Sequence, residues 1–393
     1  MNRRKLLTSA AKGVVAALVA PTITRAAASA AMFNLRRYKL SLASDQTYSS
    51  RAIELVQRST VIDMLAPLWI SPSLTMKMLG NPETFTANDF APYQQSGINV
   101  FHIAIGTGGT DAYLETLQFL SGYNNLIARH DAWFQRVETP ARLDGIKSSG
   151  KVGILLGVQN SEHFRKLDDV DYFYGLGQRV SQLTYNARNL IGNGSTERRD
   201  DGLSDFGLAI VERMNKLGMA VDVSHCGDRT TVDAFDVSKK PVLITHSNCR
   251  ALNPNHPRCK TDEAIKAMAA KGGVMGITEV RMFVSPKEPT TVDSMLDHYD
   301  HVAKLAGVEH LGVGSDIDLL GYDAMPPDEY KQLKAGYKAS YGFRDKIDLD
   351  GYHFAKRPFD LAEGLIRRNY SDANIEAILG GNFRRVLKEI WST

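Results

Sequence analysis

The chain has 393 residues, 43% of them hydrophobic, with 47 basic and 44 acidic side chains and a formal net charge of +3. Such a balance lacks the basic excess of a nucleic-acid binder. Three cysteines are too few for a disulfide framework, and an odd count leaves at least one thiol free.

The first thirty residues read as an export signal. A twin arginine, Arg3–Arg4, precedes the weakly apolar "LLTSAAKGVVAALVA", and "TRAAASAA" offers small-residue cleavage points near Ala28 or Ala30. The expectation is export by the Tat route to the periplasm, with residues 31–393 as one folded domain. Removing the leader takes Arg3, Arg4, Lys5, Lys12 and Arg25 and leaves 42 basic side chains against 44 acidic. The basic balance therefore belongs to the signal. No later run approaches the eighteen apolar residues of a membrane span.

Eight apolar runs follow, each ending at a polar residue: to Asp63, through 99–106, to Gln159, to Asn186, to His225, to Ser247, to Glu279 and to Asp316. Between them, 206–218, 262–273 and 292–307 have helical periodicity, with glycines where C-caps belong. A last helix opens at Ser371 or Asp372. Near-continuous apolar strands alternating with amphipathic helices predict a parallel sheet, and eight units in this length predict a (β/α)8 barrel. No glycine-rich phosphate fingerprint follows the first strand, as an open dinucleotide-binding sheet would require. Two connections are long, about 67–88 and 318–358. The second carries five tyrosines and reads equally as a lid or as an oligomer contact.

Strands five and six both end on histidine, in "VDVSHCG" and "PVLITHSN". One such residue is most simply a satisfied core histidine. Two on successive barrel strands converge at the C-terminal mouth, where imidazoles bind metals. His102, on strand two, reads as core packing.

The stretches "VDVSHCGDRT", "PVLITHSNCRALNPNHPRCKTDEAI", "GGVMGIT", "HLGVGSDID" and "RRNYSDANIEAILGGNFRRVL" resemble the membrane (renal) dipeptidase family of metallopeptidases over about Ser59 to Leu387. The resemblance implies a (β/α)8 barrel, often a homodimer, that hydrolyses dipeptides and some β-lactam-like amides with two bridged zinc ions. It makes His225 and His246 ligands of the second zinc, Arg258 the holder of the substrate carboxylate, and Asp316 the proton-handling acid. The first zinc site departs from the pattern. Asp63 stands, but Leu65 and Pro67 occupy ligand positions; Gln159 replaces the bridging glutamate and Tyr185 the carbonyl-binding histidine.

Leucine and proline have no lone pair for zinc, and a neutral amide does not offset two divalent charges. The sequence therefore predicts one zinc ion on His225, His246 and Gln159, completed by Asp316, Asp63 or Cys226, of which Asp316 fits best. Tyr185 and Asn186 are expected to contact substrate, with Tyr185 and Asp316 catalytic. Restoring Leu65→His, Pro67→Asp and Gln159→Glu together is expected to bring stoichiometry toward two. The function expected is one-metal hydrolysis of an amide in a small peptide-like substrate. The competing readings are a non-hydrolytic periplasmic maturation enzyme or a binding protein for a peptide-derived small molecule.

Overall fold

Eight short parallel strands pair edge to edge in the computed structural model, which describes residues 48–68, 72–322 and 327–392. The expected export signal lies outside these residues. The strands are β1 (Ile62–Asp63), β2 (Val100–Ile105), β4 (Val152–Val158), β5 (Gln178–Gln182), β6 (Ala220–Asp222), β7 (Ile244–Ser247), β8 (Met275–Ile277) and β9 (Leu311–Val313). A further strand, β3 (Phe134–Arg136), lies along the first half of β4. The order β6-β5-β4-β2-β1-β9-β8-β7 is that of a (β/α)8 barrel. Every residue of β4, β5, β6 and β7 is buried, as expected where helices cover the outer face and side chains fill the inner one.

The ends of that path, β6 and β7, meet through one backbone bridge, Asp222 to Leu243. Leu243 N–H donates to Val221 (2.8 Å) and Val223 N–H to Leu243 (3.0 Å). Beyond this the ladder continues through a side chain, because Thr245 N–H donates to the Asp222 carboxylate at 3.0 Å. The barrel thus closes beside the two histidines.

Helices fall where periodicity places them. Asp205–Leu217 opens on the Ser204 hydroxyl, which accepts from Gly207 N–H, and stops at Gly218 in the left-handed region (φ +77°). Ser371 caps the last helical segment by accepting from Asn374 N–H. That segment is two helices and not one, Asp372–Glu376 and Asn382–Trp391, joined by a wide turn at Ala377–Gly381. A Cβ at Gly380 would lie 1.9 Å from the Thr60 carbonyl, so the bend lets the chain pass close under β1.

Strands stop earlier than the apolar runs do. Tyr185, Asn186, His225, Glu279 and Asp316 sit two to four residues past their strand ends. The Asp222 carboxylate takes Ser224 N–H (3.0 Å), and Asn186 (φ +58°) and Asp316 (φ +57°) turn left-handed, so each ladder is replaced by a turn.

His102 is a core histidine, as expected. Its Nδ1 donates to the Met64 carbonyl at 2.6 Å, and burial holds its pKa below the usual imidazole value. Gly157 makes the space, since a Cβ there would stand 2.1 Å from His102 Nε2. Gly157→Ala is expected to destabilise the barrel by about 1–3 kcal/mol through overpacking. Chemical denaturation measures this, and an unchanged midpoint would show that His102 swings freely.

Candidate active site

His225 and His246 meet at the barrel mouth with their Nε2 atoms 3.0 Å apart, and both are buried. Their other nitrogens identify the tautomers. His225 Nδ1 lies 2.9 Å from Asn186 Oδ1, an acceptor that also receives the Ser195 hydroxyl at 3.2 Å. His246 Nδ1 lies 2.8 Å from Thr245 Oγ1, whose own proton goes to Asp222 Oδ2 at 2.7 Å. Both Nδ1 atoms therefore carry hydrogen, and both Nε2 lone pairs face one point. Burial first, then the Arg258 charge, pushes both imidazoles well below the usual pKa and keeps them neutral.

Two zinc-bound nitrogens in tetrahedral geometry stand roughly 3.3 Å apart, so this pair fits one edge of a single ion. Asp222 supports both sides of it. Besides the Thr245 hydroxyl and amide, it takes the Ser224 hydroxyl at 2.6 Å, and Ser224 Oγ accepts His246 N–H at 3.0 Å. Asp222 and Thr245 were not anticipated as site residues, although the polar letters before each "H" in "VDVSH" and "LITH" are their trace. Among the described residues, no group of three or more His, Cys, Asp and Glu side chains gathers as a metal cage. The donor set is two imidazoles, with the other positions left to substrate or solvent. It fits one edge of a divalent ion's coordination.

The remaining expected residues surround this pair in different roles. Arg258 is buried, and its terminal nitrogens donate to the carbonyls of Ser224 and of His246 (3.0 Å). The fork expected to grip a carboxylate instead ties together the two histidine-bearing strand ends; Nε is left without a hydrogen-bond partner among the described residues. Asn186, expected against substrate, spends its oxygen on His225. Gln159, expected as a ligand, donates its amide nitrogen to the Ala104 carbonyl at 3.4 Å and its backbone N–H to the Ile105 carbonyl at 2.8 Å. Cys226 is buried with its thiol pushed up to about 11 by burial.

Asp316 is half-buried and held by its N–H to the Leu65 carbonyl at 2.8 Å. Desolvation lifts its carboxyl to about 7; Arg258 opposes the rise and Asp63 adds to it. Tyr185 stacks on His225, ring centres 4.1 Å apart, and shares a 3.0 Å hydrogen bond with the Tyr337 hydroxyl. Tyr337 belongs to the long connection, which folds over the mouth as an aromatic wall. Tyr337 stacks on Tyr341 (4.6 Å), and Tyr341 meets Phe283 edge-on (5.2 Å).

On the strand-one side Leu65 is buried, and Asp63 pairs with Arg357, Nε to Oδ2 at 3.2 Å. Asp63 Oδ1 accepts from Ser315 N–H (2.9 Å) and Leu65 N–H (3.3 Å). Glu279, buried nearby, accepts the Tyr352 hydroxyl at 2.7 Å, and burial raises its carboxyl to about 8 against the pull of Arg357.

The model of the membrane dipeptidase family, peptidase family M19, matches residues 54–334. Dipeptidase verJ of Clonostachys rogersoniana is 30% identical over 278 residues, covering 70% of this chain and 65% of that protein. Dipeptidase tcpJ of Claviceps purpurea is 29% identical over 268 residues, 66% of this chain and 57% of that protein. The chain thus spans less than two thirds of these curated relatives. An amidohydrolase from Pseudomonas aeruginosa superposes with a TM-score of 0.75 at 29% identity, over 87% of this chain and 99% of that one. On the family match over most of its described length, the chain belongs to the membrane dipeptidase family of peptidases.

Proposed function

We propose that the chain is a hydrolase of amide bonds in small peptide-like substrates, working in the periplasm with one divalent ion, zinc by family. The observation that carries this reading is the pair of Nε2 lone pairs 3.0 Å apart, each fixed by a second hydrogen bond at Nδ1. A protein with no use for a cation has no need to lock two neighbouring imidazoles in the same tautomer.

A divalent ion bound there supplies Lewis acidity to an amide carbonyl and to water. Everything else falls to the chain itself. Asp316, with its carboxyl near 7, takes a proton from the attacking water and returns it to the leaving amine. Of the paired Tyr185 and Tyr337 hydroxyls, one donates to the other, and the second donates to oxygen as negative charge grows on it. Arg258 keeps Ser224 and His246, and with them the imidazoles, in register. The aromatic wall excludes water and favours an apolar side chain next to the scissile bond. With neutral hydroxyls where relatives of the resemblance use a histidine, ordinary L,L-dipeptides are expected to be slow substrates.

Elemental analysis of purified protein should find one divalent ion per chain. Hydrolysis of small peptide-like amides should rise with pH, because the base is the ionised form of Asp316; the limb lies below the metal-free value of about 7, since a bound cation favours the carboxylate. Asp316→Asn should remove this limb and about 2–4 orders of magnitude of rate. A chain that holds no ion and cleaves no amide would replace this reading with non-hydrolytic maturation or binding.

A further inference from the structure

The family implies a first metal on the strand-one side, and the residues there do not fit one. Leu65 and Pro67 offer no donor, and the Asp63 carboxylate is already committed to a cation of the chain itself. Its Oδ1 already accepts two backbone N–H groups, and its Oδ2 faces the Arg357 guanidinium. We infer that Arg357 is the resident cation of this side of the mouth, paired with Asp63, and that this side takes no divalent ion.

Three observations converge on this assignment. First, the pair is fully enclosed, with the Arg357 side chain 1% exposed and Asp63 0%. In such a place each charge offsets the burial of the other, and removing one would leave the second unpaired. Second, Arg357 is the first residue of the helix Arg357–Arg367, the end at which the helix dipole disfavours cations. Its position there is explained by Asp63 and not by the helix. Third, the residue is tethered at both ends: its side-chain Nη1 donates to the Asp318 carbonyl at 3.2 Å, and its backbone carbonyl accepts from the Tyr352 hydroxyl at 3.3 Å. A mobile ion would have to displace an anchored one. The tyrosine that holds the Arg357 backbone also holds one oxygen of Glu279, which places that acid in the same cluster.

This deepens the one-ion reading above and changes the outcome expected of restoring the missing ligands. With Arg357 in place, Leu65→His, Pro67→Asp and Gln159→Glu together still leave the strand-one side occupied by a fixed positive charge.

The test is cobalt(II) titration of metal-stripped protein, followed by calorimetry and by the visible absorption of the ion. The triple variant is expected to bind as many ions as the wild type. The same variant carrying Arg357→Met is expected to bind one more. An extra ion in the triple variant, or none gained when Arg357 is removed, overturns the assignment. Thermal melts give a measure that does not need the fourfold variant to fold. Arg357→Met alone should lower Tm by several degrees, and Asp63→Asn with Arg357→Met should recover most of that loss, since no charge then remains unpaired. An unchanged Tm in the single variant, or no recovery in the double, also overturns it. A wild type that binds no cobalt would sink the histidine-pair reading, while Arg357 would still be judged by the difference between the threefold and fourfold variants.

Discussion

His246→Ala is expected to abolish divalent-ion binding and to lower amide hydrolysis by about a thousandfold or more, the several kcal/mol that a Lewis acid contributes. The reasoning starts from the size of the donor set. With two imidazoles converging and no larger group of His, Cys, Asp and Glu gathered among the described residues, losing one leaves a single nitrogen. One neutral imidazole does not hold zinc against water and buffer. His225→Ala should do the same, although it also uncovers the face of Tyr185 that now stacks on the ring. Calorimetric titration with zinc and a hydrolysis assay on the same preparations provide the check. Undiminished zinc affinity in either variant would mean that the ion sits elsewhere.

Asp222→Ala should have the largest effect on the fold, about 3–5 kcal/mol of stability. Its carboxylate accepts Ser224 N–H, Ser224 O–H, Thr245 N–H and Thr245 O–H, and all four donors are buried. Truncation strands these donors and opens the seam between β6 and β7. It also frees the Thr245 hydroxyl to rotate, so that His246 Nδ1 loses its fixed acceptor. Zinc affinity should then fall about 10–100-fold in whatever fraction remains folded. Asp222→Asn separates the two effects. It keeps one acceptor oxygen and should recover part of the stability, while its amide nitrogen cannot accept the Thr245 proton. Urea unfolding paired with zinc titration reads both. Equal stability in all three proteins would remove Asp222 from the seam.

The barrel was legible because strands buried on both faces spell continuous apolar runs, and because the helices between them keep their caps. β3 escaped notice for the converse reason. Two of its three residues, Gln135 and Arg136, are polar and half-buried, and it pairs along only half of β4. The histidine pair could be anticipated because both residues end an apolar run on neighbouring strands. The roles of Asn186 and Arg258 could not, since each depends on which partner stands across a gap of 12 to 39 residues. Arg357 was further from reach: its partner lies near the other end of the described chain, and a lone arginine beside a proline carries no local mark. The strand ends were set too late because left-handed residues and an aspartate turn, not loss of apolar character, stop the ladders.

The left-handed backbones at Asn186 and Asp316 narrow the vocabulary open to variants of this site. Asparagine, aspartate and glycine tolerate that conformation, and other side chains there cost about 1–2 kcal/mol. Position 186 must also offer His225 an acceptor, which excludes glycine, and under the proposed mechanism position 316 must offer a titrating acid, which leaves aspartate alone. Glutamate at 316 is therefore no mild exchange, since it preserves charge while contradicting the turn that aims it. Substrate preference can drift through the aromatic wall, where no such double demand applies, while the letters at 186 and 316 stay as they are.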